Sequence, residues 1–506
     1  MTNQRFKTIF LLPATAVLML AGCRVGPAYH VPPATAQAPP ASYKEMPSQT
    51  QESGDWKVAQ PQDAMLRGKW WEIYNDQELN DLEDKVNINN QNIKQSFENF
   101  MAARTLIAQA RSQLYPTVSV GPSYARSRSS SNVGNASASG SSGGSSGLWS
   151  LPVSASWEPD IWGRVRNLIH EQQYNAQLSA ADLENERLTE QASLATYYFQ
   201  LRGQDALQVL YTDLVNADAK ALDIARSAHE TGVGDEVTVQ QDEITLQNAQ
   251  SALTNLGVAR AQYEHAIAML IGTSASAFTM PVKALNPTAP PIPIGLPSQL
   301  LERRPDIAAA ERNMASANAQ IGIATAAYYP NLTLSASGGL ESSAFKHLFD
   351  WPSRFWSIGP TVSETVFDAG LRRATVQQYV AVYNADVAGY RQTVLTAFQQ
   401  VEDSLAAVRI LSQEIQQQEL SEQSAKKYLE LETGRYETGI DPYVDLVTAQ
   451  TTLYQNQQTL ASLKIEQMTD SVQLIEALGG GWDRTQLPTP ADVSKRIGKA
   501  ELTIEK

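Results

Sequence analysis

Cysteine is nearly missing: Cys23 is the single one in 506 residues. It has no disulfide partner in the chain, and there is no cysteine cluster to hold a metal. Histidine is almost as scarce. His30, His170, His229, His265 and His347 stand singly, with no pair at metal-ligand spacing. Glycine-rich phosphate loops and nucleophile motifs are also lacking, so the sequence offers no catalytic residue, no metal ligand and no enzyme activity. Basic excess is absent too: the net charge of −14 argues against nucleic acid as a partner. With 42 % hydrophobic residues and a mean hydropathy of −0.30, the chain is not a helical membrane protein. Proline is missing from two long spans, between Pro159 and Pro281 and from Thr361 to Asp441.

What is present begins with a signal. Arg5 and Lys7 precede an apolar run from Ile9 to Ala21, too short to span as a stable helix and suited to a signal h-region. It ends Leu20-Ala21-Gly22-Cys23, which resembles the lipobox of bacterial lipoproteins, where the cysteine is cut free and acylated. The solitude of Cys23 supports a covalent N-terminal lipid there, the only non-protein group expected; a free cysteine near an ordinary cleavage site is the plainer alternative. Arg24 is not the aspartate that resembles an inner-membrane retention signal, which favours the outer membrane. Up to about Pro61 the chain is rich in Pro, Ala, Ser and Gln and reads as an extended tether with little core.

Two stretches alternate with period two. In the first, Val118, Val120 and Tyr124 alternate with Thr117, Ser119 and Ser123, then Trp149, Leu151, Val153, Ala155 and Trp157 with Ser150, Ser154 and Ser156. In the second, Leu332, Leu334, Ala336 and Gly338, then Trp356, Ile358, Val362 and Val366, alternate with small polar residues. Tyr115-Pro116 and Tyr329-Pro330 announce them. A soluble hairpin with one buried face gives the same alternation, but length and chemistry also suit membrane strands with lipid on one side and water on the other. Four strands cannot close a barrel, and lipid does not tolerate an open edge. If these strands span a membrane, several chains share one barrel; three copies give about twelve strands. The loop from Ser127 to Gly147 is almost wholly Ser, Gly and Asn, and is expected outside the cell.

The Pro-free spans carry leucine and alanine at helical spacing, broken at Thr231-Gly232-Val233-Gly234-Asp235 and at Glu437-Thr438-Gly439-Ile440. The limb from about Trp162 to Glu230 extends roughly 100 Å as a helix, which implies a coiled coil or helical barrel. The halves repeat. Glu230-Thr231-Gly232 matches Glu437-Thr438-Gly439 at an offset of 207, as do Gly272 with Gly479 and Gly163 with Gly370. The expected organisation is a signal peptide over 1–22, a lipidated tether over 23–61, and a first repeat over 62–282 with a hairpin at 116–157. A proline-rich connector follows over 283–297, then a second repeat over 298–481 with a hairpin at 331–366, and a polar tail over 482–506, read as a loose strap.

The residues Leu296-Pro297-Ser298 through Arg303-Arg304-Pro305-Asp306-Ile307, then Glu311, Ile321-Gly322 and Tyr329-Pro330-Asn331-Leu332, resemble the TolC-like outer-membrane factors. Trp70-Trp71, Asp160-Ile161-Trp162-Gly163-Arg164, Tyr436 with Gly439, and the lipobox match as well, and the whole set resembles, within that family, the lipoprotein (NodT-type) branch that serves resistance-nodulation-division (RND) efflux pumps. The resemblance implies a mixed α and β fold with an internal two-fold repeat. A homotrimer would form a 12-stranded outer-membrane β-barrel continuous with a long periplasmic α-helical barrel. Its partners would be outer-membrane lipid, a periplasmic membrane-fusion adaptor and an inner-membrane RND transporter. The function expected is a passive exit duct for drugs and other small toxic compounds. A duct for metal-ion efflux or type I protein secretion is the alternative, and a coiled-coil structural or adhesin lipoprotein is the reading from another class.

Site residues follow from the same source. Adaptor docking is expected at the helix tips, at Gly232, Val233, Gly439 and Ile440, although turn chemistry alone accounts for the glycines. Asp445 matches a pore-constricting aspartate, and three copies would form a cation-attracting ring; a plain solvated helix carboxylate is the alternative. Tyr436 and Asp441 complete the candidate aperture, with Asp441, beside Pro442, expected to point to solvent or the adaptor. The family's mouth latch pairs tyrosine with aspartate and arginine. Tyr436 fits, but Thr238 and Asp441 stand at the other two positions, and Thr448 replaces a second ring aspartate. Arg303-Arg304-Pro305-Asp306 reads as a helix start rather than a site, with Pro305 in the first turn and Asp306 favourable at the N-terminus.

Overall fold

The first Pro-free span folds as a helical hairpin, and the second span together with the stretch after Pro442 folds as another of matching dimensions. The computed structural model describes residues 24–35, 43–45, 68–128, 145–284, 289–292 and 301–495. Helix α1 (Gln77–Asn89) and α2 (Gln91–Ser112) follow a short 3-10 turn at Trp70–Tyr74. Helices α3 (Arg164–Glu230) and α4 (Glu236–Leu270) form the first hairpin. After α5 (Pro305–Ala326), helices α6 (Leu371–Glu437) and α7 (Tyr443–Ala477) form the second, and α8 (Pro490–Val493) is a single turn. Both ascending helices have 67 residues and both returning helices 35, so the offset of 207 holds to the residue at each end. Helices α2 and α5 have 22 residues each. At 1.5 Å per residue the long helices extend about 100 Å. Among the described residues no helix is long and apolar enough to cross a membrane.

The pattern expected as one helix from Asp76 to Gln113 is broken in two. Asn90 leaves helical geometry, and its side-chain oxygen accepts from the N–H groups of Asn92 and Ile93, starting α2 afresh. The same side chain donates to Glu190 and to the Leu270 carbonyl, which ties the break to both helices of the first hairpin.

The strands are β1 (Thr117–Val120), β2 (Ser123–Ser127), β3 (Ser146–Trp157), β4 (Asn331–Ser342) and β5 (Arg354–Ser363). All pairs are antiparallel; β1 and β2 both pair with β3, then β3 with β4 and β4 with β5. Strands β1 and β2 are one strand interrupted at Gly121-Pro122, because proline has no N–H to give the ladder. Register aligns the apolar rows: Val120 faces Val153, Val153 faces Gly338, Leu151 faces Leu340, and Ala336 faces Ile358. Ser119, Ser154, Ser337 and Ser357 line up on the other face. The apolar face is uncovered: Trp356 is 81 % exposed, and Val118, Val120, Ile358 and Val362 are exposed as well. A soluble hairpin would bury that row. Strands of 10–12 residues match the length that crosses a bilayer.

Aromatic residues mark both ends of the sheet. Tyr124, Trp149 and Phe345 pack in series at one end, with ring centroids 4.4 and 5.0 Å apart. Trp162 stacks on Tyr329 at 4.7 Å near the other, where the helices begin. Two such belts are what headgroup regions favour.

The helices are joined by a core around Trp70, Trp71, Leu79, Leu194, Tyr198 and Ile475, all buried. Arg304 fixes the start of α5: its guanidinium donates to Asp306, to Gln400 on α6 and to the Ala477 carbonyl at the end of α7. The helix-start reading of this motif therefore holds, with Pro305 in the first turn.

Two expectations about the ends are corrected. The tether is not without core, since Tyr43 is buried and the Tyr29 hydroxyl donates to Glu311 at 2.6 Å. Nor is the tail a loose strap as far as residue 495. Trp482 and Val493 are buried, Gln177 donates to the Pro488 carbonyl at 2.8 Å and Arg484 to Glu311 at 3.2 Å. A few large side chains anchor otherwise polar segments, and polarity alone hides this.

Candidate functional site

Both helix tips are built by one backbone device. At the end of α3, the Gly232 N–H donates to the His229 carbonyl and the Val233 N–H to the Ala228 carbonyl. At the end of α6, Gly439 N–H donates to Tyr436 and Ile440 N–H to Arg435 in the same spacing. This Schellman arrangement satisfies the orphan carbonyls and needs a left-handed residue, supplied by Gly232 at φ 79° and Gly439 at φ 72°. The hydrophobic residue after each glycine is then thrown outward: Val233 is 87 % exposed and Ile440 65 %. Asp235 caps α4 by accepting from the Thr238 N–H, while Pro442 opens α7. The four tip residues singled out in the sequence thus form two glycine-turn, aliphatic-apex pairs, one at the end of each hairpin.

Beside the second tip lies a charged cluster. Arg435 donates from Nε and Nη2 to both carboxylate oxygens of Asp441, the latter at 2.7 Å. The expectation that Asp441 points to solvent or a partner is therefore corrected. The chain reverses between the two residues, so the side chains meet across the turn, and Asp441 is mostly covered. The hydrogen bonds from Arg435 hold its carboxyl below the usual range. Burial first, and then the neighbouring Asp441, push Glu432 up. Asp445, half-buried in the first turn of α7, adds its negative charge to Glu432 and Arg435. Tyr436 packs on Tyr443 with ring centroids 5.5 Å apart. Asp445, Asp441 and Tyr436 are thus gathered at one end of the second hairpin. Thr238 stands on the first hairpin, where its hydroxyl donates to Asp235 rather than reaching the cluster.

Sequence reasoning missed Arg435, Glu432 and Tyr443. Arg435 had a signal: a basic residue six before an aspartate, across a glycine turn. Cys23 lies outside the described residues, as do Leu296-Pro297-Ser298 and most of the Ser127–Gly147 loop. Among the described residues no group of three or more His, Cys, Asp and Glu is placed to hold a metal.

Comparison with known proteins agrees with this architecture. The family model for outer membrane efflux proteins matches residues 82–273 and 296–480. The toluene efflux pump outer membrane protein TtgC of Pseudomonas putida is 31 % identical over 479 residues, covering 94 % of this chain and 96 % of that protein. The antibiotic efflux pump outer membrane protein ArpC of Pseudomonas putida is similar to the same degree. Among solved structures, the outer-membrane channel OprN superposes with a TM-score of 0.79 at 25 % identity, over 91 % of this chain and all of that one. The CmeC outer membrane channel of Campylobacter jejuni, at 20 % identity, shares the fold with a TM-score of 0.82. With its sheet, its paired long helices and these matches, the chain belongs to the outer membrane efflux protein family.

Proposed function

We propose that three copies of this chain form the outer-membrane exit duct of an RND-type efflux pump, a passive conduit for drugs and other small toxic compounds. The sheet carries this reading. One face is apolar and uncovered, and β1–β2 and β5 are unpaired outer edges among the described strands. Lipid does not tolerate such edges, and three copies joined edge to edge give about twelve strands and no edge. The names of the relatives, which concern toluene and antibiotic efflux, favour small organic cargo over metal ions or proteins. The duct performs no reaction; energy comes from its inner-membrane partner, through an adaptor docking on the aliphatic tips. In cells lacking their own outer-membrane component, the chain should restore dye efflux given its adaptor and pump. Val233→Asp with Ile440→Asp should lose efflux yet keep channel conductance. Loss of both, or of neither, contradicts the docking reading.

A lipid on Cys23 is part of the proposal. The next residues support it. Val25 N–H donates to the Trp162 carbonyl at 3.1 Å and Arg24 Nε to Asn167 at 2.5 Å, beside the aromatic belt where the helices begin. An acyl chain on the preceding residue would start at headgroup depth. Cys23→Ser should abolish palmitate labelling; labelling equal to the parent refutes the anchor.

A further inference from the structure

Between α3, α4 and α7, starting at Tyr443 in the first turn of α7, lies a cavity of about 230 Å³. Its lining includes Asp218 on α3, Asp242 on α4, and the rings of Tyr211, Tyr443 and Tyr454, with Leu214 among the apolar remainder. No basic residue lines it. Asp218 is 7 % exposed and Asp242 5 %. One oxygen of each, Asp218 Oδ2 and Asp242 Oδ2, is buried with no hydrogen-bond partner. The Tyr443 hydroxyl lies within reach of the Asp242 carboxyl, so Asp218 is the carboxyl left without a donor.

The repeat makes these aspartates conspicuous. At the offset of 207, Asp218 corresponds to Ala425 and Asp242 to Ala449, and both alanines are buried. One repeat packs methyl groups at the positions where the other places two carboxyls. A buried, unpartnered carboxylate costs free energy, so the fold alone gives no reason for the substitution. Burial and the charge of Asp242 raise Asp218 to about 6. At pH 7.5 it is still mostly ionised, so the cavity holds negative charge faced by no cation.

We propose that this cavity binds a small organic ammonium ion, its charged head between Asp218 and Asp242 and its apolar body against the tyrosine rings. Carboxylates satisfy the ammonium N–H donors, and aromatic faces attract the cation. A hard inorganic cation suits the site less, because calcium takes six to eight oxygens and magnesium keeps its waters, while much of this lining is ring and hydrocarbon. The proposal goes beyond the exit-duct reading. A ligand held here touches both hairpins at once, and it would do so whatever the duct carries.

The test is calorimetric titration of the intact, detergent-solubilised protein with phenethylamine at pH 7.5. The expected result is saturable binding that weakens about tenfold or more in Asp218→Asn and Asp242→Asn. Asp218→Ala and Asp242→Ala serve as second variants, since the other repeat already packs alanine at these positions. Three results would overturn the proposal: unchanged affinity in folded variants of both kinds, equal binding of neutral 2-phenylethanol, or displacement of phenethylamine by millimolar magnesium. Bilayer conductance of the same preparation reports the duct reading separately.

Discussion

Arg435 sits among three acids, Asp441, Glu432 and Asp445, and grips only the first with two hydrogen bonds. The balance of charge at this end of the second hairpin depends on that grip. In a threefold assembly the cluster is repeated three times, and the acidic excess attracts cations. Removing one unit charge at about 4 Å changes an interaction in water by about 1 kcal/mol, or about fivefold in affinity. Asp445→Ala should therefore weaken block by divalent or trivalent cations severalfold in single-channel recordings. Asp441→Ala should weaken it too, because it frees Arg435 to neutralise the remaining acids. Arg435→Gln should strengthen it. Equal block in parent and Asp445→Ala would remove Asp445 from the constriction.

At the scale of elements, the hairpins were legible because helix and turn chemistry repeat at a fixed spacing. Gly232 and Gly439 mark the tips in the sequence, and the structure ends α3 and α6 at equivalent residues. The alternation of Val118 or Ile358 with small polar residues gave the two rows that the strand register aligns. The docked tail was not legible. Trp482 and Val493 are isolated in polar sequence, and only the tertiary fold shows what covers them. Asp218 and Asp242 were hidden for a related reason: a charged residue on a helix is ordinarily read as facing water. Their burial gives the packing of α3 and α4 against α7 a pH dependence. Burial lifts both carboxyls, Asp218 to about 6. The packed state then holds protons more tightly than the opened one. Packing is strongest below about pH 4, the ordinary carboxyl range, and weakens as pH rises through about 6. Amide exchange over 210–221 and 242–252, corrected for intrinsic rate, should show more protection at pH 5 than at pH 7.5. Asp218→Ala with Asp242→Ala should flatten the difference, and equal protection in the parent would contradict the account.

The whole molecule makes sense only as part of a larger one. Among the described residues a single chain carries an antiparallel sheet with an apolar uncovered face and two unpaired edges, continuous with helices of 67 residues. The sequence pattern already implied shared strands if the four span a membrane, since four cannot close and lipid forbids an edge. Copy number is what neither the alternation nor one chain's fold fixes by itself, since two copies already give about the eight strands of the smallest barrels and three give about twelve. Native mass spectrometry of the full-length protein in mild detergent measures it directly. The account predicts a homotrimer that, placed in a planar bilayer, conducts ions. A folded, monodisperse monomer with no conductance would contradict it.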